Sequence, residues 1–148
     1  YIAQQGLKTI KENTSNEQQA ALDYLAIFSK DENEYKDLDS VLGPLGQEID
    51  REVSKTGRTF KLFKSLETPA GSLYLLKIRR PDPIRLQRGA PDFRVPNYDQ
   101  FKEKYLKDGG NMTLMIRSAY EMIEIKGVDV LVYIPNHPLS ERLKLRAV

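Results

Sequence analysis

The sequence predicts an α+β domain made of two tandem β-α-β-β-(β) modules. Three observations predict it. The apolar period changes from two to about 3.6 and back again, and it does so twice along the chain. Between the two series lies "IRRPDPIRLQRGAPDFRV" (78–95), which holds three prolines and five arginines. Its prolines fix φ and restrict the residues before them, so the stretch reads as a stiff, basic connector. Finally, "LDYLAIFSKDENEY" and "PDFRVPNYDQF" share an Asp-aromatic pair, an apolar strand end, a polar cap and an aromatic at the helix start. The organisation that follows is an N-terminal extension over 1–19, a first module over 20–79, a connector over 80–90, a second module over 91–136 and a tail over 137–148.

Taken in order, "YIAQQGLKTIKENTSNEQQ" is polar without a steady period and reads as an extension, helical at most near Ser15 to Gln19. "LDYLAIFS" (22–29) suits a buried strand, although a helix from Ser15 through Phe28 with a Ser15/Gln18 capping box fits the same letters. Tyr35, Leu38, Leu42, Leu45, Ile49 and Val53 mark an amphipathic helical face over 31–53, interrupted or kinked at Gly43-Pro44. "TGRTFKLF" and "SLYLLKIR" then make a strand pair around the turn "TPAG". "DFRV" (92–95) is the next strand. Asn97 caps a helix over 98–107, with Tyr98, Phe101 and Tyr105 on one face and Gly109-Gly110 as its stop. "MTLMIRS", "YEMIEIK" and "VLVYIP" follow as strands, and "PLSERLKL" as a loose helical turn or two. The first module is one strand short, unless "KSLETP" supplies it.

Composition limits the function classes. With 40% hydrophobic and 30% charged residues the chain is that of a globular protein, and its near-balanced charge of +2 does not call for nucleic acid. No apolar run is long enough to span a bilayer. There is no cysteine, hence no disulfide, thiolate metal site or thiol nucleophile, which fits a reducing, cytoplasmic setting. Glycine-rich phosphate loops, dinucleotide fingerprints and a nucleophile elbow are all missing.

The element order resembles the vicinal-oxygen-chelate superfamily, which includes glyoxalases, extradiol dioxygenases and bleomycin-resistance proteins. It covers about residues 20–136. The resemblance implies two curved sheets, one from each module, facing each other around a cleft and, in the enzymes, a divalent metal held by His, Glu or Gln on the first and last strands of each module. Here "LDYLAIF" and "PDFRV" offer Asp23 and Asp92 where histidine is usual, and "VLVYIP" offers Tyr133 where Glu is expected. The implied function is therefore a small-molecule-binding protein of this fold without the typical metal site; the alternative is a metal-dependent lyase, isomerase or dioxygenase. No cofactor and no tightly bound transition ion are expected, since His137 is the lone histidine.

Candidate ligand-binding residues come from strand alternation and the basic edge. Tyr74, Tyr133 and Glu124 are expected in the wall of a pocket, with Arg79 or Arg94 at its mouth for an anionic group. Asp23, Asp92, Glu121 and Glu124 are the strand acids, either salt-bridged and solvated or, together, ligands for a hard ion. Lys77, Arg79, Arg80, Arg85 and Arg88 form the most uneven charge feature, open to two readings: a solvated or acid-paired connector, or an anion site. His137 in "PNHP" reads as a surface loop residue. The expected partners are a small anionic molecule and, in a homodimer, a second copy, with neither nucleic acid nor membrane among them.

Overall fold

A computed structural model describes residues 1–49, 56–107 and 110–143. It is an α+β fold built on a single mixed sheet. The elements are α1 (Ile2–Asn13), β1 (Ala21–Phe28), α2 (Glu32–Leu42), a 3₁₀ turn (Gly43–Leu45), β2 (Gly46–Glu48), β3 (Gly57–Thr68), β4 (Gly71–Arg79), β5 (Gly89–Arg94), α3 (Tyr98–Tyr105), β6 (Met112–Ile116), β7 (Glu121–Lys126), β8 (Leu131–Pro135) and α4 (Leu139–Arg142). The eight strands run in the order β2-β3-β4-β1-β5-β8-β7-β6. β1 pairs antiparallel with β5 at the centre, and each of these is flanked by a parallel partner, β4 and β8. Outward from the centre the two halves read β1-β4-β3-β2 and β5-β8-β7-β6. The sheet is thus continuous across the middle, where two separate facing sheets were expected.

One face of the sheet carries α1, α2 and α3. Leu22, Leu25, Leu76, Phe93, Ile123, Ile125, Val132 and Ile134 pack there with Ala3 and Ile10 of α1 and Phe101 of α3. Tyr35 of α2 closes over Phe60 and Ile78 at one end. Alternation explains the selection, because every second residue of β4, β7 and β8 points to this side. Asp31 and Asn97 cap α2 and α3 by accepting the backbone N–H groups of Glu34 and Gln100 at 2.8 and 3.1 Å.

Four expectations are corrected. The N-terminal extension is a 12-residue helix docked on the core. Its buried face is Ala3, Gly6, Thr9 and Ile10, mostly small or polar, so no apolar stripe announces it. Gly6 makes the docking close: a Cβ there would lie 2.5 Å from Pro91 Cγ. The helix expected over 31–53 stops at Leu42, because Gly43-Pro44-Leu45 turns it into 3₁₀ geometry. Gly46–Glu48 is instead a strand paired with β3, and Ile49 continues it by donating its N–H to Thr59 O at 2.9 Å; Val53 lies outside the described residues. "KSLET" instead lengthens β3 past an irregularity in its pairing with β4. Finally, the connector is shorter than 80–90, since Gly89 and Ala90 already belong to β5.

The connector arginines are paired with acids. Arg80 lies 3.8 Å from Glu32 and 4.5 Å above the Tyr35 ring, and Arg88 reaches Glu34 at 3.1 Å. Asp82 draws in Arg79 at 3.3 Å and Arg85 at 3.9 Å. No helix among the described residues is long and apolar enough to cross a membrane.

Candidate functional site

The face without α1 to α3 holds a cavity of about 530 Å³ at the centre of the sheet, a size suited to a small organic molecule. Alternation sets its lining. From β1 come Tyr24, Ala26 and Phe28; from β4, Lys77 and Arg79; from β5, Ala90 and Asp92; from β7 and β8, Met122 and Tyr133. The β6–β7 turn adds Arg117, Ser118 and Tyr120, and α4 adds Leu139 and Arg142.

Register orders these side chains into rows. Tyr24 on β1 stands opposite Asp92 on β5, which stands beside Tyr133 on β8. The adjacent row holds Lys77 beside Ala26, and Ala26 opposite Ala90. The two alanines leave an open floor between larger side chains. A bulge between Leu22 and Tyr24 leaves Asp23 out of the β1–β5 pairing. Asp23 accordingly serves the rim: it accepts the backbone N–H of Ser140 at 3.1 Å and the Ser140 hydroxyl, and it meets Arg94 at 3.6 Å. Those bonds dock α4 at the cavity edge.

The electrostatics are uneven. Burial pushes the Asp92 carboxyl well above the usual carboxylate range, and nearby Asp23 adds to this against Arg142 and Lys77. Burial, then Arg79, brings the Lys77 ammonium down to about 8, with Asp92 opposing. The Tyr133 phenol rises to about 12 through burial and Glu124, while Arg85 donates to its oxygen at 3.3 Å. Burial, helped by Asp92, also raises Tyr24. Arg79 and Arg142 are held over rings, 5.2 Å from Phe28 and 3.9 Å from Tyr120.

Of the residues expected at a pocket, Arg79 and Tyr133 line this cavity. Glu124 stands opposite Tyr133 in register but opens onto a neighbouring depression beside Arg85 and Lys126. Arg94 is spent on Asp23 and is not among the lining residues. Tyr74 alternates with Leu76 and Ile78, so it sits on the helix-bearing face, away from the cavity. Tyr74 and Arg79 differ by an odd number of residues on one strand, which was a legible warning that they could not share a wall. Tyr24, Lys77 and Arg142 were not singled out for the pocket. The first two were findable, because Tyr24-Ala26-Phe28 and Lys77-Arg79 are the alternating partners of the core residues. Nothing in the sequence places the turn of β6–β7 or α4 over the same spot. Among the other strand acids, Glu121 is tied to Lys102 and Tyr98 at 2.8 and 2.7 Å, contacts that lower its carboxyl. His137 is exposed and lies 3.0 Å from Glu141.

A divalent metal, as the resemblance implies for the enzymes, would require ligands on the first and last strands of each half. At the cavity those strands contribute the polar side chains Tyr24, Lys77, Arg79, Asp92 and Tyr133: one carboxylate, two phenols, an ammonium and a guanidinium. That set does not fit a hard or borderline cation. Among the described residues no three His, Cys, Asp or Glu side chains are placed to hold one.

Neither a family model nor a curated protein matches the sequence. A solved protein described as "Structural Genomics, Protein EC4020" is similar in structure, with a TM-score of 0.71 at 9% identity, over 97% of this chain and 86% of that one. At that identity the likeness shows the fold alone.

Proposed function

We propose that the protein binds a small organic anion with an apolar or aromatic body in the central cavity, and that it is a metal-free, divergent relative of the vicinal-oxygen-chelate superfamily. One observation carries the binding reading. Lys77, Arg79, Arg117 and Arg142 converge on an alanine floor walled by Tyr24, Phe28, Tyr120 and Tyr133, while Asp92, the one acid of the lining among the described residues, is pushed toward its neutral form. Cations and ring faces around an open floor match an anionic head on a flat or apolar body. The tandem-module reading draws support from the mirrored strand order about the β1–β5 pair, with the modules joined edge to edge.

Calorimetric titration with benzoate, phenyl phosphate and citrate tests this. At least one is expected to bind, and Arg79→Met should weaken it about tenfold, the worth of one charge-assisted hydrogen bond. Arg94→Met should leave affinity within about twofold, because its partner is Asp23. No binding by any of the three anions, or equal affinity in the Arg79 variant, would overturn the reading.

A further inference from the structure

We propose that Lys77 is an amine nucleophile that captures the carbonyl carbon of a small anionic aldehyde or ketone as an imine, with the Asp92 carboxyl carrying the protons. This rests on the anion-binding reading of the same cavity and narrows its ligand to carbonyl compounds.

Three placements support it. Lys77 projects from β4 beside the Ala26–Ala90 floor, where a ligand's reacting carbon has room to approach. Its Nζ also meets the Thr56 hydroxyl at 2.5 Å, which holds the amine at the cavity wall. Asp92 is 6% exposed, faces the cavity, and makes no side-chain hydrogen bond among the described residues. A carboxyl so nearly buried and open to the cavity is placed to exchange protons with a ligand that arrives in front of it. Arg79, Arg117 and Arg142 supply the charge to hold the ligand's carboxylate or phosphate while the carbonyl faces Lys77. Burial and the Arg79 charge also keep part of the amine neutral near pH 8, the form that attacks.

The step balances without an oxidant. The Nζ lone pair forms the C–N bond and the carbonyl π pair moves to oxygen, which takes the proton of neutral Asp92. The resulting carboxylate then removes a proton from nitrogen. Asp92 returns that proton to the hydroxyl, which leaves as water as nitrogen closes the C=N bond. A protonated imine is left facing the Asp92 carboxylate.

The test is reductive trapping with glyoxylate and cyanoborohydride, read by peptide mass mapping, beside titration with glycolate, which has the same carboxylate but no carbonyl. Lys77 should be labelled roughly tenfold or more faster than exposed Lys8, Lys11 or Lys64 at pH 7.5. Its rate should level off above a midpoint near 8, while the exposed lysines keep gaining beyond it. Asp92→Asn should slow trapping at Lys77 and leave the exposed lysines unchanged, and Lys77→Arg should abolish the fast adduct in a protein with an unaltered circular dichroism spectrum. Labelling spread evenly over all lysines, with glycolate still bound, would sink the imine and spare the binding reading. Even labelling with neither glycolate nor the three anions bound would sink both.

Discussion

Asp23 and Asp92 lie on the two strands paired at the centre of the sheet, yet their carboxyls meet different surroundings. Asp23 is given two donors by Ser140 and a cation by Arg94; Asp92 faces the cavity and accepts no side-chain hydrogen bond among the described residues. Removing the first should leave donors stranded, so Asp23→Ala is expected to cost about 2 to 4 kcal/mol in urea unfolding and to weaken anion binding as α4 comes away. The second makes a pH prediction. The folded value of Asp92 is raised, so above the ordinary carboxylate range the unfolded chain releases a proton that the native state keeps. Stability then falls as pH rises through that window, and Asp92→Asn removes the slope. Wild type and variant should run parallel below pH 3 and diverge above it, the variant gaining, in urea midpoints measured across pH. Lys77 acts with the opposite sign: between about 8 and its ordinary 10.5 the unfolded chain holds the extra proton, so this contribution grows with pH and vanishes in Lys77→Met.

Among the elements, α1 and β2 are the two that the sequence hid, for different physical reasons. α1 buries alanine, glycine and threonine because it must approach β5 closely, and small residues give no apolar signal. Gly6→Val should therefore overpack against Pro91 and Phe93 and cost about 1 to 3 kcal/mol, read as a lower urea midpoint. β2 was concealed because Leu38, Leu42 and Leu45 continue a helical spacing that Gly43-Pro44 breaks. What fixes β2 is Arg58, whose guanidinium contacts Asp39 of α2 at 2.6 Å and Glu48 of β2 at 3.2 Å while lying 4.8 Å from the Phe60 ring centroid. These groups are partly exposed, so Arg58→Met should cost only about 1 kcal/mol, with faster amide exchange in Gly46–Glu48 as the specific sign. The elements with strong period, β1, β4, α3, β7 and β8, were legible, and so was the alternation that turns Arg79 and Tyr133 toward the cavity. Asp23's true role was not, since one bulged residue moves the side chains on either side of it and leaves no mark in the letters.

At the scale of the molecule, the sheet is held through its middle by partners far apart in the chain. β1 is completed on one side by β4 and on the other by β5, and α1 packs on β5, β1 and β8. During synthesis α1 therefore leaves the ribosome well before β8, the last of the strands it packs on, and finds its full seat only once β8 has followed. Until then the apolar face it covers, with Phe93 and Val132, stays open to other chains and to chaperones. A ribosome stalled before residue 131 should accordingly hold α1 unprotected against limited proteolysis. Extending the nascent chain until β8 has cleared the ribosome should protect it in a single slow phase.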